Sequence, residues 1–293
     1  MKAIIYRAEH GGLANRLRAL TGYQAMSHFL NVPLYLWWVP DDSCDADFTH
    51  LFDSSDVKTL TPAEWNAYQQ NNEISIFQSY DWFDKIWKAH MEDKVPWRDF
   101  AKRAIHFLRD LSPKPHIDRK IEEFSKLHHL PDAIGIHIRH TDNLSAYEFW
   151  TNKSAGFNPE YISKLDGFKR FVESRITSEP GTRILLATDN IEIEKDFKEL
   201  YGNHVISFHK KYKKGRLKFS LRDLKFTVKG RTTSIEDALI EMFLLSKCRT
   251  ILGTYYSSFS KFSAILGNTE YFEVRGTGYA RNEFIEGLKQ YTG

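Results

Sequence analysis

Two cysteines in 293 residues, Cys44 and Cys248, are too few and too widely spaced for a disulfide framework or a metal-spaced pair. They read as reduced, partly buried thiols. No run of about 18 apolar residues occurs, which excludes an obvious membrane-spanning helix, and the apolar stretch after Lys2 is too short for a signal peptide. Charge of one sign is also lacking. The 41 basic and 38 acidic side chains leave a formal +3, too small to imply nucleic-acid binding. What is present, 42% hydrophobic and 27% charged residues, is the composition of an ordinary globular protein. The length suits one large domain or two of ordinary size.

Charge is uneven along the chain. Between Phe208 and Arg231 stand ten Lys/Arg and a single acid, Asp223, interleaved with Tyr212, Phe219 and Phe226. Such a run could track an anionic polymer. The simpler reading is a mobile, solvated loop, which beside a nucleotide cleft would gate the donor. No nucleic-acid partner is expected.

The clearest signal lies at Ala133–Asp142. Ile134, Ile136 and Ile138 alternate with Gly135 and His137 as in a short buried strand, which then delivers His137, Arg139, His140 and Asp142 to its carboxyl end. In open α/β sheets ligands sit at that end, and an arginine there offers a planar fork of donors suited to phosphate. Strands are also expected at Lys2–Arg7, Val32–Val39, Thr182–Thr188, Val205–Phe208 and Thr250–Gly253. Amphipathic helices are expected along Leu17, Leu20, Tyr23, Met26 and Leu30, and along Ile235, Ala238, Leu239, Met242 and Leu245. The stretch Asp53–His128 reads as mixed helices and loops, and His128–Asp132 as a linker. Strand–helix alternation on both sides predicts an α/β protein of two doubly wound domains, 1–128 and 129–293, with the last helix packing back on the first. The ligand is expected in the cleft between them.

Other candidate groups have rival explanations. Gly11-Gly12-Leu-Ala-Asn15-Arg16 joins a strand to a helix, where paired glycines allow close backbone approach and free amides favour an anion; a tight turn with an Asn cap serves as well. It lacks the third glycine and the spaced acid of a dinucleotide fingerprint. Arg139 either binds phosphate or pairs with Asp142 or Asp189, and His137 is either a ligand or a hydrogen-bonded core histidine. Ser257-Ser258-Phe259-Ser260, between a strand and a helix, is a second possible phosphate cradle. Asp237 is either a binding carboxylate or part of a cap with Ser234. Asp45-Ala46-Asp47 has a metal-binding spacing but falls in an acid-rich loop and reads as solvated.

Taken together these pieces resemble the GDP-fucose-dependent fucosyltransferases of the α1,6 and protein-O-fucosyltransferase type, the bacterial nodulation fucosyltransferase among them. Their motif His-x-Arg-Arg-Thr-Asp is similar to His137-Ile-Arg139-His140-Thr141-Asp142. Further likeness lies in Leu186-Ala-Thr-Asp189-Asn, in Ser234-Ile-Glu-Asp237-Ala through Thr254-Tyr-Tyr-Ser257-Ser258-Phe259, and in the glycine–asparagine loop at Gly11, Gly12, Asn15 and Arg16. The resemblance implies a GT-B fold, two Rossmann-like domains facing across a cleft. It also implies inverting transfer of fucose from GDP-fucose to a glycan acceptor, with no cofactor and no metal. Arg139 would bind the β-phosphate, with Ser257, Ser258 and the Phe259 amide assisting at the diphosphate. His137 and Asp237 would hold the guanosine, with His140 and Asp189 completing the donor site, while Asn15 and Arg16 would face the cleft. Asp142 and Glu148 are the candidate bases, with Glu9 and His10 opposite. The chain departs from the motif at His140, which replaces the second arginine, so donor affinity or sugar identity could differ. Another nucleotide sugar on the same scaffold, or a non-catalytic glycan- or nucleotide-binding protein, are the rival readings. A cytoplasmic enzyme of bacterial or viral type, with no membrane span, is the expectation.

Overall fold

The computed structural model describes residues 2–53, 57–139, 159–212, 216–220, 225–229 and 233–291, with 216–220 and 225–229 described as backbone only. It divides the chain into two compact units, Met1–Arg119 with Leu288–Gly293, and Lys120–Gly287.

In the first unit β1 (Ala3–Ala8), α1 (Leu13–Leu30), β2 (Leu34–Trp38), α2 (Phe48–Leu51), β3 (Lys58–Thr59), α3 (Pro62–Tyr68) and β4 (Ile74–Phe77) alternate; α4 (Phe83–His90) and α5 (Trp97–Asp110) follow. The four strands are parallel in the order β3-β2-β1-β4. Ile4, Ile5 and Tyr6 are buried consecutively, as a parallel strand covered on both faces requires. The spacing in α1 predicts one apolar face, but the helix is buried on almost every side, polar Thr21 and Gln24 included. Its second face is built from small residues: a Cβ on Gly22 would come within 2.6 Å of Ile86 and 3.2 Å of Phe83, so α4 can close on it. Asn31, left-handed at φ 51°, ends the helix and donates its N–H to the carbonyls of Ser27 and His28.

The helix α6 (Pro115–His128) contains the division between the units. In the second unit β5 (Ile134–Ile138), α7 (Leu165–Ser178), β6 (Ile184–Thr188), α8 (Ile191–Tyr201) and β7 (Val205–Ile206) come first. After them run β8 (Arg216–Ser220), β9 (Lys225–Lys229), α9 (Ile235–Ser246), β10 (Thr250–Thr254), α10 (Ser258–Gly267), β11 (Glu270–Arg275), β12 (Gly278–Arg281) and α11 (Glu283–Lys289). The main sheet runs β12-β11-β10-β5-β6-β7, parallel except for β12. β5, β6 and β10 are buried at every residue. Ile134, Ile136 and Ile138 pack with Phe168, Phe171 and Leu186 on one face of the sheet. In both units the chain winds outward in one direction and then returns to the other side of its first strand. That places a topological switch point between β1 and β4, and another between β5 and β10. Among the described residues no helix is long and apolar enough to cross a membrane.

Two expectations are corrected. Asp53–His128 holds the strands β3 and β4, too short at two and four residues to show a period. The basic segment, expected as a loop, contains the antiparallel pair β8–β9, with Arg216 opposite Lys229 and Phe219 opposite Phe226. Apolar Leu217 and Phe219 alternate there with Arg216 and Lys218, a strand period that the charge count obscures.

The root of this pair is tied to the unit. Lys210, its side chain fully buried, donates to Glu241 on α9, and the Tyr212 hydroxyl donates to Glu194 on α8 at 2.6 Å. Burial pushes the Glu241 carboxyl up to about 7, against the pull of Lys210. A folded-state pKa raised from 4.5 means that this group's contribution to stability falls as pH climbs through that interval. Lys210→Ala is expected to cost about 3–5 kcal/mol at neutral pH, because the carboxylate loses its counter-ion. The deficit should shrink as pH falls and Glu241 takes up a proton; urea midpoints at pH 7 and pH 5 check both statements.

Candidate active site

The carboxyl ends of β5 and β10 meet at the switch point of the second unit, with His137 opposite Gly253 in register. Thr254 joins them. Its Oγ1 accepts from the Arg139 amide at 3.0 Å and donates to the His137 carbonyl at 3.0 Å. The His137 ring is buried and stacked on Phe259, centroids 4.7 Å apart and planes 23° apart. Gly253 makes this closeness possible: a Cβ there would run into the Ser260 and Tyr271 hydroxyls, so α10 packs directly on β10. The Arg139 side chain is exposed at the strand's end.

Ser257 precedes α10 and is buried, yet its Oγ hydrogen-bonds to none of the described residues and does not cap the helix. It stands at the start of α10, where first-turn amides have no intrahelical acceptor. A buried hydroxyl beside a helix N-terminus and an exposed arginine fits an anionic oxygen. Ile138 pairs with Thr188, so Arg139 and Asp189 follow side by side at the ends of β5 and β6. Asn190 is occupied as a cap, accepting from the Glu192 and Ile193 amides at 2.9 and 3.3 Å. Ser234 caps α9 by accepting from the Asp237 amide at 3.0 Å; that bond uses the backbone of Asp237, and its half-buried carboxylate takes no part. His140, Asp142 and Glu148 lie outside the described residues.

In the first unit the glycine loop closes against the strand-end loop after β4. A Cβ on Gly11 would fall 2.7 Å from the Tyr80 ring, and Gly12 occupies the N-cap of α1 with half-buried Asn15 in its first turn. Arg16, expected to face a cleft, is instead fully buried. Its guanidinium donates to the carbonyls of Gly11 (2.6 Å), Ala8 (3.0 Å) and Val39 (2.6 Å) and to Asp41 (2.7 Å). It is a tie between the ends of β1 and β2. Asp41 is the residue missed: Oδ1 accepts from the Ser43 and Cys44 amides and Oδ2 from the His10 amide and Arg16. The Asp-x-Ser-Cys turn was a local signal for it. Asp45 and Asp47 are exposed in the same loop. Glu9 is buried at the end of β1, paired with Arg7 at 2.6 Å and accepting from Gln78 at 3.0 Å.

Two Rossmann-like units, each with its switch point, make up the architecture of the GT-B class. Residues 93–284 match the sequence model of the Nodulation protein Z (NodZ) family. The chain belongs to that family. Among solved structures it is similar to NodZ α1,6-fucosyltransferase soaked with GDP-fucose, at 15% identity and a TM-score of 0.58 over 96% of this chain and 99% of that one. It is also similar to a mutant of Arabidopsis thaliana FUT1 in complex with GDP (12% identity, TM-score 0.53, 97% and 71% of the chains). POFUT1 in complex with GDP is a third (11%, 0.54, 93% and 98%). No curated protein matches the sequence.

Proposed function

We infer that the protein is an inverting, metal-independent fucosyltransferase that moves fucose from GDP-fucose to a hydroxyl of a glycan acceptor. The observation that carries this reading is the β5–β10 junction, where Arg139, its amide held by Thr254, ends one strand and the neighbouring strand leads to the unbonded, buried Ser257 hydroxyl at the start of α10. Family membership, and relatives whose structures hold GDP or GDP-fucose, support it.

The donor diphosphate lies against Arg139, Ser257, Ser258 and the Phe259 amide, with His140 and Asp189 at its edge and the guanosine towards His137 and Asp237. An acceptor hydroxyl attacks the anomeric carbon, the bond from that carbon to the β-phosphate oxygen breaks, and its electron pair leaves with GDP. One displacement inverts the anomeric centre. A guanidinium fork and oriented amides stabilise the charge that grows on the leaving oxygen, the task a divalent ion would otherwise serve. The acceptor proton passes to a carboxylate, Asp142 or Glu148. Gly11, Gly12 and Asn15 belong to the glycine loop of the first unit, which Arg16 holds from within.

Calorimetry with GDP, UDP and GDP-fucose, with and without a divalent ion, tests this. GDP-selective, ion-independent binding that weakens about 10- to 100-fold in Arg139→Ala is expected from the loss of a charged hydrogen bond. UDP preference that requires an ion, or undiminished binding in the variant, overturns it. Tight binding without turnover identifies a binding protein on the same fold.

A further inference from the structure

We propose that Tyr161 and Tyr256 form a stacking platform for a pyranose ring of the acceptor glycan, an inference that rests on the donor site proposed above. Both rings are large and exposed, at 39% and 43%, and they flank buried Tyr255 beyond the end of β10. Tyr255 meets Tyr161 edge-on at 5.7 Å and lies tilted against Tyr256 at 5.5 Å. The Tyr255 amide donates to Ser163 Oγ at 2.8 Å, and that hydroxyl donates to the Val274 carbonyl at 2.6 Å, fixing the segment across the ends of β10 and β11.

One buried carboxylate organises the underside. Glu273, 1% exposed, accepts from the Arg275 guanidinium at 2.7 and 2.9 Å, from Asn282 at 3.0 Å and from Lys261 at 3.2 Å. Each of the two cations lies against one exposed tyrosine. Arg275 is 5.2 Å from the centre of the Tyr161 ring and Lys261 is 5.9 Å from that of Tyr256. A cation held by a buried acid supports one face of a ring and limits its movement. Pre-ordered tyrosines offer a sugar rigid contact area at small entropic cost.

Simple coverage of the strand ends does not explain the backbone. Tyr256 is left-handed at φ 65°. Glycine or asparagine accepts that conformation readily, whereas a bulky side chain there is strained, a cost that a use for its ring would offset. The platform also sits on the side of Ser257 away from His137, because β11 and β5 flank β10 on opposite sides. The proposed guanosine subsite lies on the β5 side. A ring approaching from the β11 side belongs to the other substrate, whose C–H face suits an aromatic surface.

The test titrates the protein, with and without an excess of GDP, with a panel of neutral gluco-, galacto-, manno- and N-acetylglucosamine oligosaccharides. Wild type is expected to bind at least one. Tyr161→Ala and Tyr256→Ala should each weaken that binding about tenfold, with GDP affinity held within about twofold and Tyr256→Trp retaining the glycan. If Tyr256→Ala fails to fold, Tyr256→Gly replaces it, since glycine takes the left-handed backbone without strain. Undiminished glycan binding in the double variant, no glycan bound by wild type, or GDP affinity falling in step with glycan affinity would each overturn the platform. Tyrosine-dependent glycan binding by a protein that ignores GDP keeps the platform and sinks the donor assignment.

Discussion

Arg139→Ala is expected to lower fucose transfer from GDP-fucose by about two to three orders of magnitude, the usual cost of removing one fixed donor to a developing oxyanion. In the proposed reaction, charge grows on the β-phosphate as the anomeric bond breaks. Interactions that strengthen during that step raise the rate, whereas those equal in both states lower only KM. Arg139 is suited to the first role because its backbone does not drift: the amide is held by Thr254 Oγ1, which also grips the neighbouring strand through the His137 carbonyl. The side chain therefore starts from a fixed root at the exposed end of β5. Arg139→Lys restores the charge but not the planar fork and should recover only part of the loss. Steady-state kinetics decide the matter. A fall shared by kcat and kcat/KM assigns Arg139 to the transition state; a rise in KM alone reduces it to a donor-binding residue; unchanged kinetics remove it from the site.

How much of this was legible depended on distance along the chain. β5 and its polar tip could be read because the Ile134–Ile138 alternation stops abruptly at Arg139, within a few residues. The same holds for β10 with Ser257, and for the α9 start at Ser234. The junction itself could not be read, because nothing local says that the strand at 250 pairs beside the strand at 134. β4 escaped notice because Ile74-Ser-Ile-Phe77 is too short for a period to stand out. Glu273 was invisible for another reason. On β11 it looks like an ordinary strand residue; Arg275 stands two places along the same strand, but Lys261 comes from α10 and Asn282 from the junction between β12 and α11. Arg16 shows where the resemblance misleads. The resemblance implies that it faces the cleft, but the structure turns it inward towards Asp41, 25 residues away.

That inward turn makes Arg16 the second large expectation. Arg16→Ala should cost about 3–5 kcal/mol of folding free energy, a large share of the 5–15 kcal/mol typical of a domain. The guanidinium satisfies the carbonyls of Ala8, Gly11 and Val39 and one carboxylate oxygen of Asp41, with the Trp38 ring 4.9 Å from its centre. Asp41 is 20% exposed and can recover some water, but Arg16 itself is fully enclosed, so its loss strands acceptors in a dry space. A lysine carries the charge yet cannot donate in four fixed directions, so Arg16→Lys should lose most of the same stability. The effect should appear as a lower urea midpoint at an unchanged slope. A loss below about 1 kcal/mol would mean that Ala8, Gly11 and Val39 find other donors. Because Gly11 O is one of the three, the glycine loop should loosen with the fold. GDP affinity should hold in folded Arg16 variants, because the proposed donor site draws on residues of Lys120–Gly287 alone.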